Sequence, residues 1–295
     1  MIDYATHSRF TDPGPLTGWL NGIEPDLSEL HRTASTLVFH FWGNGDVTDH
    51  GFPPARRAEV DLRYTADMLA RLHELNPAPL GAERATTERI LGCCRDFTLL
   101  FVSMARQCGI PARSRVGFAA YLVPGRHVDH VVAEVWDGDR WRLVDPQFAA
   151  PDSELGGVDP TDLPRDRFLV GADAWRACRS GALDPDRFMI SPDRTDPRLR
   201  GLPQIRHNLV QDLAALNKHE MILWDLWGCL TDDPAVSDPA VSEQDAAAAD
   251  ELAALLQDPD SADVSAIFAT DPYRVPPVIT SIDQTTLAPV EVTLR

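Results

Sequence analysis

The strongest hydrophobic pattern in the chain predicts a helix that begins beside Cys94. Apolar side chains then recur at the i, i+3, i+4 and i+7 spacing of one helix face: Phe97, Leu100, Phe101, Met104 and Cys108. Gly109 followed by Pro111 is a common stop signal, because glycine suits the residue after a helix and proline lacks the N–H that a helix needs. One stripe of this helix should therefore face a core.

Three segments of strand-like composition follow that helix. They span residues 113–123, 130–136 and 140–145, and turn residues separate them. A helix followed by an antiparallel meander predicts an α+β fold. Upstream, helical spacing over 58–75 predicts another helix, whereas the run at 35–42 is typical of either a strand or a buried helix segment.

Residues 231–295 have a composition that differs from the rest and predicts an extension of the main domain. The acidic, proline-containing stretch 231–243 is typical of a linker, and beyond it the pattern predicts a helix at 245–257 and a strand within 276–294. We therefore expect one domain over 1–230, followed by an acidic linker, a helix and a C-terminal segment over 231–295.

Composition narrows the classes of partner. The 295 residues carry a formal net charge of −18, whereas nucleic acids and anionic membranes both demand a basic surface. No run approaches the length of a membrane span, and the N-terminus lacks the features of a signal peptide. Five cysteines, an odd number, are typical of reduced thiols. The sequence predicts a soluble, cytoplasmic protein without a nucleic-acid or membrane partner, and it leaves the oligomeric state open.

The turn Asp137-Gly138 predicts which residues face each other across a hairpin. Asp-Gly between two strand-like runs favours a two-residue type I′ turn. That register places His130 directly opposite Asp145, on the same face of the sheet as Val132. A histidine oriented by a carboxylate is the base half of a nucleophilic triad.

Cys94 is the candidate nucleophile for that base. At a helix N-terminus the free N–H groups and the helix dipole stabilise a thiolate, and the same N–H groups suit an oxyanion. Arg95 would assist the thiolate if its side chain pointed inward, and Asp96 would oppose it unless it capped the helix.

Three blocks of sequence resemble the transglutaminase-like superfamily. They are GCCRDFTLLFVSMARQCGIPARSRVGF, DHVVAEVW and RWRLVDPQF, they occur in the family's order, and the clear likeness spans 84–148. The likeness implies a papain-like α+β fold in which Cys94 is the nucleophile, His130 the base and Asp145 the orienting acid. Flanking sequence resembles an uncharacterised bacterial subgroup. Val132 departs from the pattern, because many members have an aromatic residue there.

The resemblance implies thiol-dependent acyl transfer through a thioester acyl-enzyme. The substrate would be a peptide, amide or small acyl compound, and we expect water to resolve the intermediate, as in a peptidase or amidase. Two alternatives stay open: amide formation with an amine acceptor, and a non-catalytic binding module. No cofactor is expected.

Several neighbouring residues have plainer interpretations. Cys93 is expected to pack rather than to resolve an oxidised Cys94, although a resolving thiol is an alternative. His127 and His130 fall on opposite faces of a strand, which disfavours a metal site. Glu134 is expected to form a structural salt bridge, and Trp42 is a candidate oxyanion donor.

Overall fold

The computed structural model describes residues 2–149, 155, 157–231, 241–260 and 262–295. Its helices are α1 (Thr17–Leu20), α2 (Leu27–Leu37), α3 (Thr65–Leu75), α4 (Cys94–Gln107), α5 (Gly171–Arg179), α6 (Gly201–Leu216), α7 (Glu243–Leu255) and α8 (Val264–Phe268). Its strands are β1 (Val38–His40), β2 (Ile90–Gly92), β3 (Ala112–Ala119), β4 (His127–Trp136), β5 (Trp141–Val144), β6 (Phe168–Val170), β7 (Phe188–Met189), β8 (Asp225–Leu226), β9 (Val278–Ile282) and β10 (Pro289–Thr293).

The main sheet is the meander that the sequence predicts. Strands β5, β4, β3 and β6 lie side by side in that order, and each of these pairings is antiparallel. The short β7 pairs with β4 in parallel. Helix α4 packs on β4 and β3, so the predicted α+β fold is confirmed.

Helix α4 is the central helix of the fold. Every residue from Cys94 to Arg106 is buried, which is more than the one stripe that its periodicity predicts. The Thr98 hydroxyl donates to the Val131 carbonyl at 3.0 Å and ties the helix to β4. At the N-terminus of α4, the Cys93 N–H donates to the Asp96 carboxylate at 2.8 Å. Asp96 therefore caps the helix, and the predicted start at Cys94 is confirmed.

Two predicted elements upstream of α4 are divided in the structure. The helix expected over 58–75 is a 3-10 helix at Pro54–Asp61 followed by α3, which begins at Thr65. The run at 35–42 contains the end of α2 and then β1, so both interpretations hold for part of it. Strand β1 pairs in parallel with β2, and β2 leads the chain to the start of α4.

The hairpin between β4 and β5 differs from the predicted two-residue turn. Trp136 pairs with Trp141, so the loop spans residues 137–140 and every partner on β5 is displaced by two positions. Asp137 closes this longer loop by accepting from the N–H groups of Asp139 and Arg140 at 3.1 and 3.0 Å. Because side chains alternate with a period of two, the displacement leaves each one on its predicted face.

The C-terminal segment shares the core of the chain. Helix α7 packs on α5, where the Trp175 indole N–H donates to Asp250 at 2.8 Å. Strands β8, β9 and β10 form a separate antiparallel sheet. The predicted helix at 245–257 corresponds to α7, and the 276–294 region contains β9 and β10. Residues 232–240 of the expected linker lie outside the described residues, and the domain boundary stays a prediction.

Candidate active site

The centre of the site is an ion-paired histidine. His130 Nε2 lies 2.8 Å from Asp145 Oδ2, and both side chains are buried. Strand β4 positions the histidine, and Asp145 follows directly after the end of β5. With Nε2 bonded to the carboxylate, Nδ1 is the ring nitrogen that remains for another partner.

The Asp145 carboxylate is held by further donors. The Tyr121 hydroxyl donates to Oδ2 at 2.6 Å, and the Gln147 N–H donates to Oδ1 at 3.0 Å. The backbone of Asp145 is fixed as well, because its carbonyl lies 3.0 Å from His31 Nε2. A buried carboxylate needs such partners to stay charged, and here they also fix the direction in which it faces.

Cys94 contacts the histidine from the first turn of α4. The side chains of Cys93, His130 and His40 lie close enough to its thiol to lower the pKa of that group. Only 5% of Cys94 and 2% of His130 is exposed. The structure therefore brings together all three residues that the sequence singles out, although the chain separates them by up to 51 positions.

The protonation states of this group follow from its contacts. The hydrogen bond from Cys93 and the positive charge of His130 lower the pKa of Cys94 well below its ordinary value, against the opposing effect of burial. Burial alone would lower the pKa of His130, but the charges of Asp145 and Cys94 outweigh it and raise that pKa to about 10. These shifts favour an ion pair of a thiolate and an imidazolium.

His40 is a second histidine at the thiol. Its Nδ1 accepts hydrogen bonds from the N–H groups of Gly43 at 2.9 Å and Trp42 at 3.3 Å. The indole of Trp42 instead packs on Phe41 and Trp224, and 43% of the residue is exposed. The ring that contacts Cys94 from this segment belongs to His40 rather than to the expected Trp42.

A second carboxyl group lies close to the thiolate. Burial and then the negative charge of Cys94 raise the pKa of Asp129 to about 7. Its carboxylate accepts from the side-chain amide of Asn208, on α6, at 2.7 Å. Asp129 thus adjoins the site, and among the described residues no arginine or lysine forms an ion pair with it.

The charged residues around the site serve mainly to hold the scaffold. Arg95 donates to the carbonyls of Arg63, Glu220 and Leu62, so it ties α4 to neighbouring loops and does not face the thiolate. Glu134 is bridged by three arginines at 2.5 to 2.9 Å, namely Arg113, Arg115 and Arg165, which agrees with the expected structural salt bridge.

The described residues contain no metal-binding cluster, disulfide or membrane-spanning helix. Among them, no group of three or more His, Cys, Asp or Glu side chains is placed to hold a metal ion. His127 stacks on Phe188, with ring centroids 4.3 Å apart. None of the five cysteines, all of which lie in the described part of the chain, forms a disulfide. None of the described helices is both long and apolar enough to cross a membrane.

A thiol at a helix N-terminus that meets a histidine and an acid on an antiparallel sheet is the arrangement of the papain-like, transglutaminase-like class of proteins. Residues 55–146 match the family model of the transglutaminase-like superfamily, which confirms for this part of the chain the resemblance carried by the three sequence blocks. The match supports a cysteine enzyme of the transglutaminase-like type in general.

One solved structure is also similar to this chain. It is described as "a Putative Cysteine Protease from Cytophaga hutchinsonii", is 21% identical and has a TM-score of 0.33. The match covers 55% of this chain and 46% of that one, so it spans less than half of the other protein. The comparison with curated proteins finds no significant match.

Sequence reasoning missed three side chains at the site: His40, Tyr121 and Asp129. His40 had a visible signal, since it is the only polar residue in the apolar run Leu37-Val-Phe-His-Phe-Trp42. Tyr121 gave none, because its contact with Asp145 depends on how the chain continues after β3. Asp129 neighbours His130 in sequence, but its hydrogen bond with Asn208 of α6 depends on tertiary packing.

Proposed function

We propose that the protein is a thiol acyltransferase that passes the acyl group to water, as a peptidase or amidase does. Cys94 attacks a carbonyl carbon, His130 moves the proton and Asp145 holds the imidazole. The observation that carries the proposal is the buried contact of Cys94 with a histidine whose other nitrogen lies 2.8 Å from a carboxylate.

The reaction follows from these protonation states. The Cys94 thiolate forms a C–S bond, and the carbonyl π electrons move to oxygen. When the tetrahedral intermediate collapses, the bond to the leaving group breaks and the leaving group takes the Nδ1 proton of His130. Neutral His130 then accepts a proton from water, which attacks the thioester and releases a carboxylic acid and the thiol.

The chemistry can be tested with a small activated ester. Purified protein incubated with p-nitrophenyl acetate should release a burst of nitrophenolate and gain one acetyl group on Cys94, detected by mass spectrometry. Cys94→Ala should lose both signals, whereas Cys108→Ala, at the far end of the same helix, should retain them. A Cys94 that alkylates like a free cysteine with a pKa of about 8.5, and that gains no acetyl group, would instead indicate a non-catalytic binding module.

The acceptor can be tested on the same acyl-enzyme. Methylamine is added in increasing concentration, and acetate and N-methylacetamide are quantified. We expect acetate to remain the main product, because water is far more abundant than the added amine. Saturable formation of the amide at low amine concentration would favour the transglutaminase-type alternative.

A further inference from the structure

His40 is placed beside the nucleophile by the parallel pairing of two strands. It ends β1, and its partner in the register is Gly92, two residues before Cys94. The pairing continues one step further, since the Phe41 N–H donates to the Gly92 carbonyl at 3.0 Å. The backbone therefore fixes the origin of the His40 side chain next to the turn that enters α4.

The hydrogen bonds of the His40 ring define its tautomer. Nδ1 accepts from the backbone N–H of Gly43 at 2.9 Å and from that of Trp42 at 3.3 Å. A backbone N–H can only donate, so Nδ1 carries no proton and the hydrogen of the neutral ring is on Nε2. Because Nδ1 is occupied, Nε2–H is the ring group that remains for another partner, and the His40 side chain lies close enough to Cys94 to lower the pKa of its thiol.

The hydrogen bonds of His130 and His40 therefore suit the two rings to different roles at the thiol. His130 faces a carboxylate, which favours the protonated ring and makes it the proton carrier. His40 faces backbone donors, which leave Nδ1 as an acceptor and place the ring hydrogen on Nε2. A ring nitrogen that already holds its hydrogen cannot act as the base for Cys94, but it can donate to a negatively charged oxygen.

Close packing keeps the His40 ring in this direction. The ring stacks on Phe41 with an interplanar angle of 9° and a centroid distance of 6.1 Å. On its other side, a Cβ atom at Gly43 would lie 3.2 Å from Nδ1 and 3.4 Å from Cγ, which is tighter than ordinary packing. The glycine lets the chain turn back closely enough for its N–H to reach the ring.

From this arrangement we infer that His40 is a catalytic residue that donates Nε2–H to the oxyanion formed when Cys94 attacks a carbonyl. The inference rests on the proposed acyl transfer. The second donor is the backbone N–H of Cys94, which has no intrahelical acceptor because Cys94 is the first residue of α4. During attack the carbonyl π electrons move to oxygen, the two N–H groups bind the resulting charge, and no proton leaves His40.

Two reagents separate this role from that of the thiolate pair. Acylation by p-nitrophenyl acetate passes through an oxyanion, whereas alkylation by iodoacetamide is a displacement at carbon that forms none. Both rates are measured at pH 8 on the wild type and on His40→Phe, His40→Gln and His50→Phe, with modification of Cys94 located by peptide mass mapping. His50 is the matched control, because it lies in the same segment and its ring bonds to the Asn44 carbonyl.

The expected pattern is specific to acylation. His40→Phe should slow acylation by about 10²–10³-fold, the effect of removing one oxyanion donor. Its alkylation rate should stay within about 3-fold of the wild type, given that this step needs no such donor. His40→Gln, which restores an N–H donor, should recover most of the acylation rate, and His50→Phe should match the wild type in both assays. Thermal unfolding of each variant checks that it is folded.

Three results would overturn the inference, and they differ from failure of the proposed function. Unchanged acylation in His40→Phe would exclude an oxyanion role. An equal fall in acylation and alkylation would mean that His40 sets the state of the thiol instead. A His40→Gln variant that is folded but as slow as His40→Phe would also exclude a simple donor. Failure of the proposed function would appear in the wild type itself, as absence of acylation.

Discussion

Tyr121 and His130 share one oxygen of Asp145. The phenol donates to Oδ2 at 2.6 Å and the imidazole approaches the same atom at 2.8 Å. Burial and the charge of Asp145 raise the pKa of Tyr121 well above its ordinary value, so the phenol keeps its proton and remains a donor. The carboxylate is thereby fixed from a second direction.

Tyr121→Phe should therefore lower the free energy of unfolding but have little effect on the reactivity of Cys94. A hydrogen bond to a charged group is typically worth about 1.5–3 kcal/mol, and we expect the free energy of unfolding in urea to fall by that amount. Alkylation of Cys94 at pH 7 should persist, because the contact between His130 and Asp145 remains.

Tyr4→Phe is the matched control for that experiment. The Tyr4 hydroxyl is also buried, but it donates to the neutral carbonyl of Leu216 at 2.8 Å. Its loss should cost only about 0.5–1.5 kcal/mol. Equal destabilisation by the two substitutions would contradict a special role for the charged partner.

The ion pair predicts an unusual pH profile for the Cys94 thiol. The pKa of Cys94 is lowered well below its ordinary value, which favours the thiolate, and His130 keeps its proton until the pH approaches about 10. Alkylation by iodoacetamide should therefore be near its maximal rate at pH 7, where a free cysteine with a pKa of about 8.5 is mostly protonated. A rate that still rises steeply between pH 7 and 9 would contradict the pair.

The same pair should make stability depend on pH at the alkaline side. A histidine with a raised pKa stabilises the fold fully below its unfolded value of about 6.5, and this contribution is lost as the pH rises toward about 10. His130→Gln should remove this dependence, so the difference in unfolding free energy between wild type and variant should shrink from pH 6 to pH 10.

Cys93 is expected to lower the pKa of its neighbour Cys94, and this effect can be tested. Its hydrogen bond to Cys94 and its burial raise the pKa of Cys93, so it stays a thiol and donates to the neighbouring sulfur. Cys93→Ala should raise the pKa of Cys94 and move the acidic limb of the alkylation profile to higher pH, while Cys93→Ser retains a donor and should move it less. If the wild type, Cys93→Ala and Cys93→Ser have the same acidic limb in the pH profile of alkylation, Cys93 has only a packing role.

Asp129 predicts a loss of stability with rising pH at a lower pH range than that of His130. Its folded pKa of about 7 lies above its ordinary value, so the unfolded chain gives up this proton first and the fold loses stability as the pH rises from about 4 to 7. Asp129→Asn removes that loss and can still accept from Asn208. Relative to wild type, its unfolding free energy should rise by more than about 1.4 kcal/mol between pH 4 and 8, the equivalent of one pKa unit.

The sequence predicts the scaffold of the site better than its fine geometry. The helix start at Cys94 and the meander were visible in local patterns, because apolar periodicity and turn residues report directly on both. The loop at 137–140 was not, because tertiary contacts fix its length. The rings of Trp136 and Trp141 meet edge to face at 5.7 Å, and Arg113 lies over Trp141 at 4.0 Å.

His130 and Asp145 still meet because the error in register is an even number of residues. A shift by one position would have sent Asp145 to the opposite face. His40 was beyond local reasoning for a different reason: its place beside Cys94 depends on the parallel pairing of β1 with β2, which joins residues more than 50 positions apart.

The burial of Cys94 also bears on how the protein meets oxidants. A thiolate at neutral pH is the form that attacks disulfides, and an open one would soon carry glutathione as a mixed disulfide. Here the sulfur lies under a lining of apolar side chains that includes Phe41, Val116 and Val131, with 5% of the residue exposed. The fold thus limits how readily a disulfide reaches the sulfur, while the contacts of Cys94 favour its reactive form.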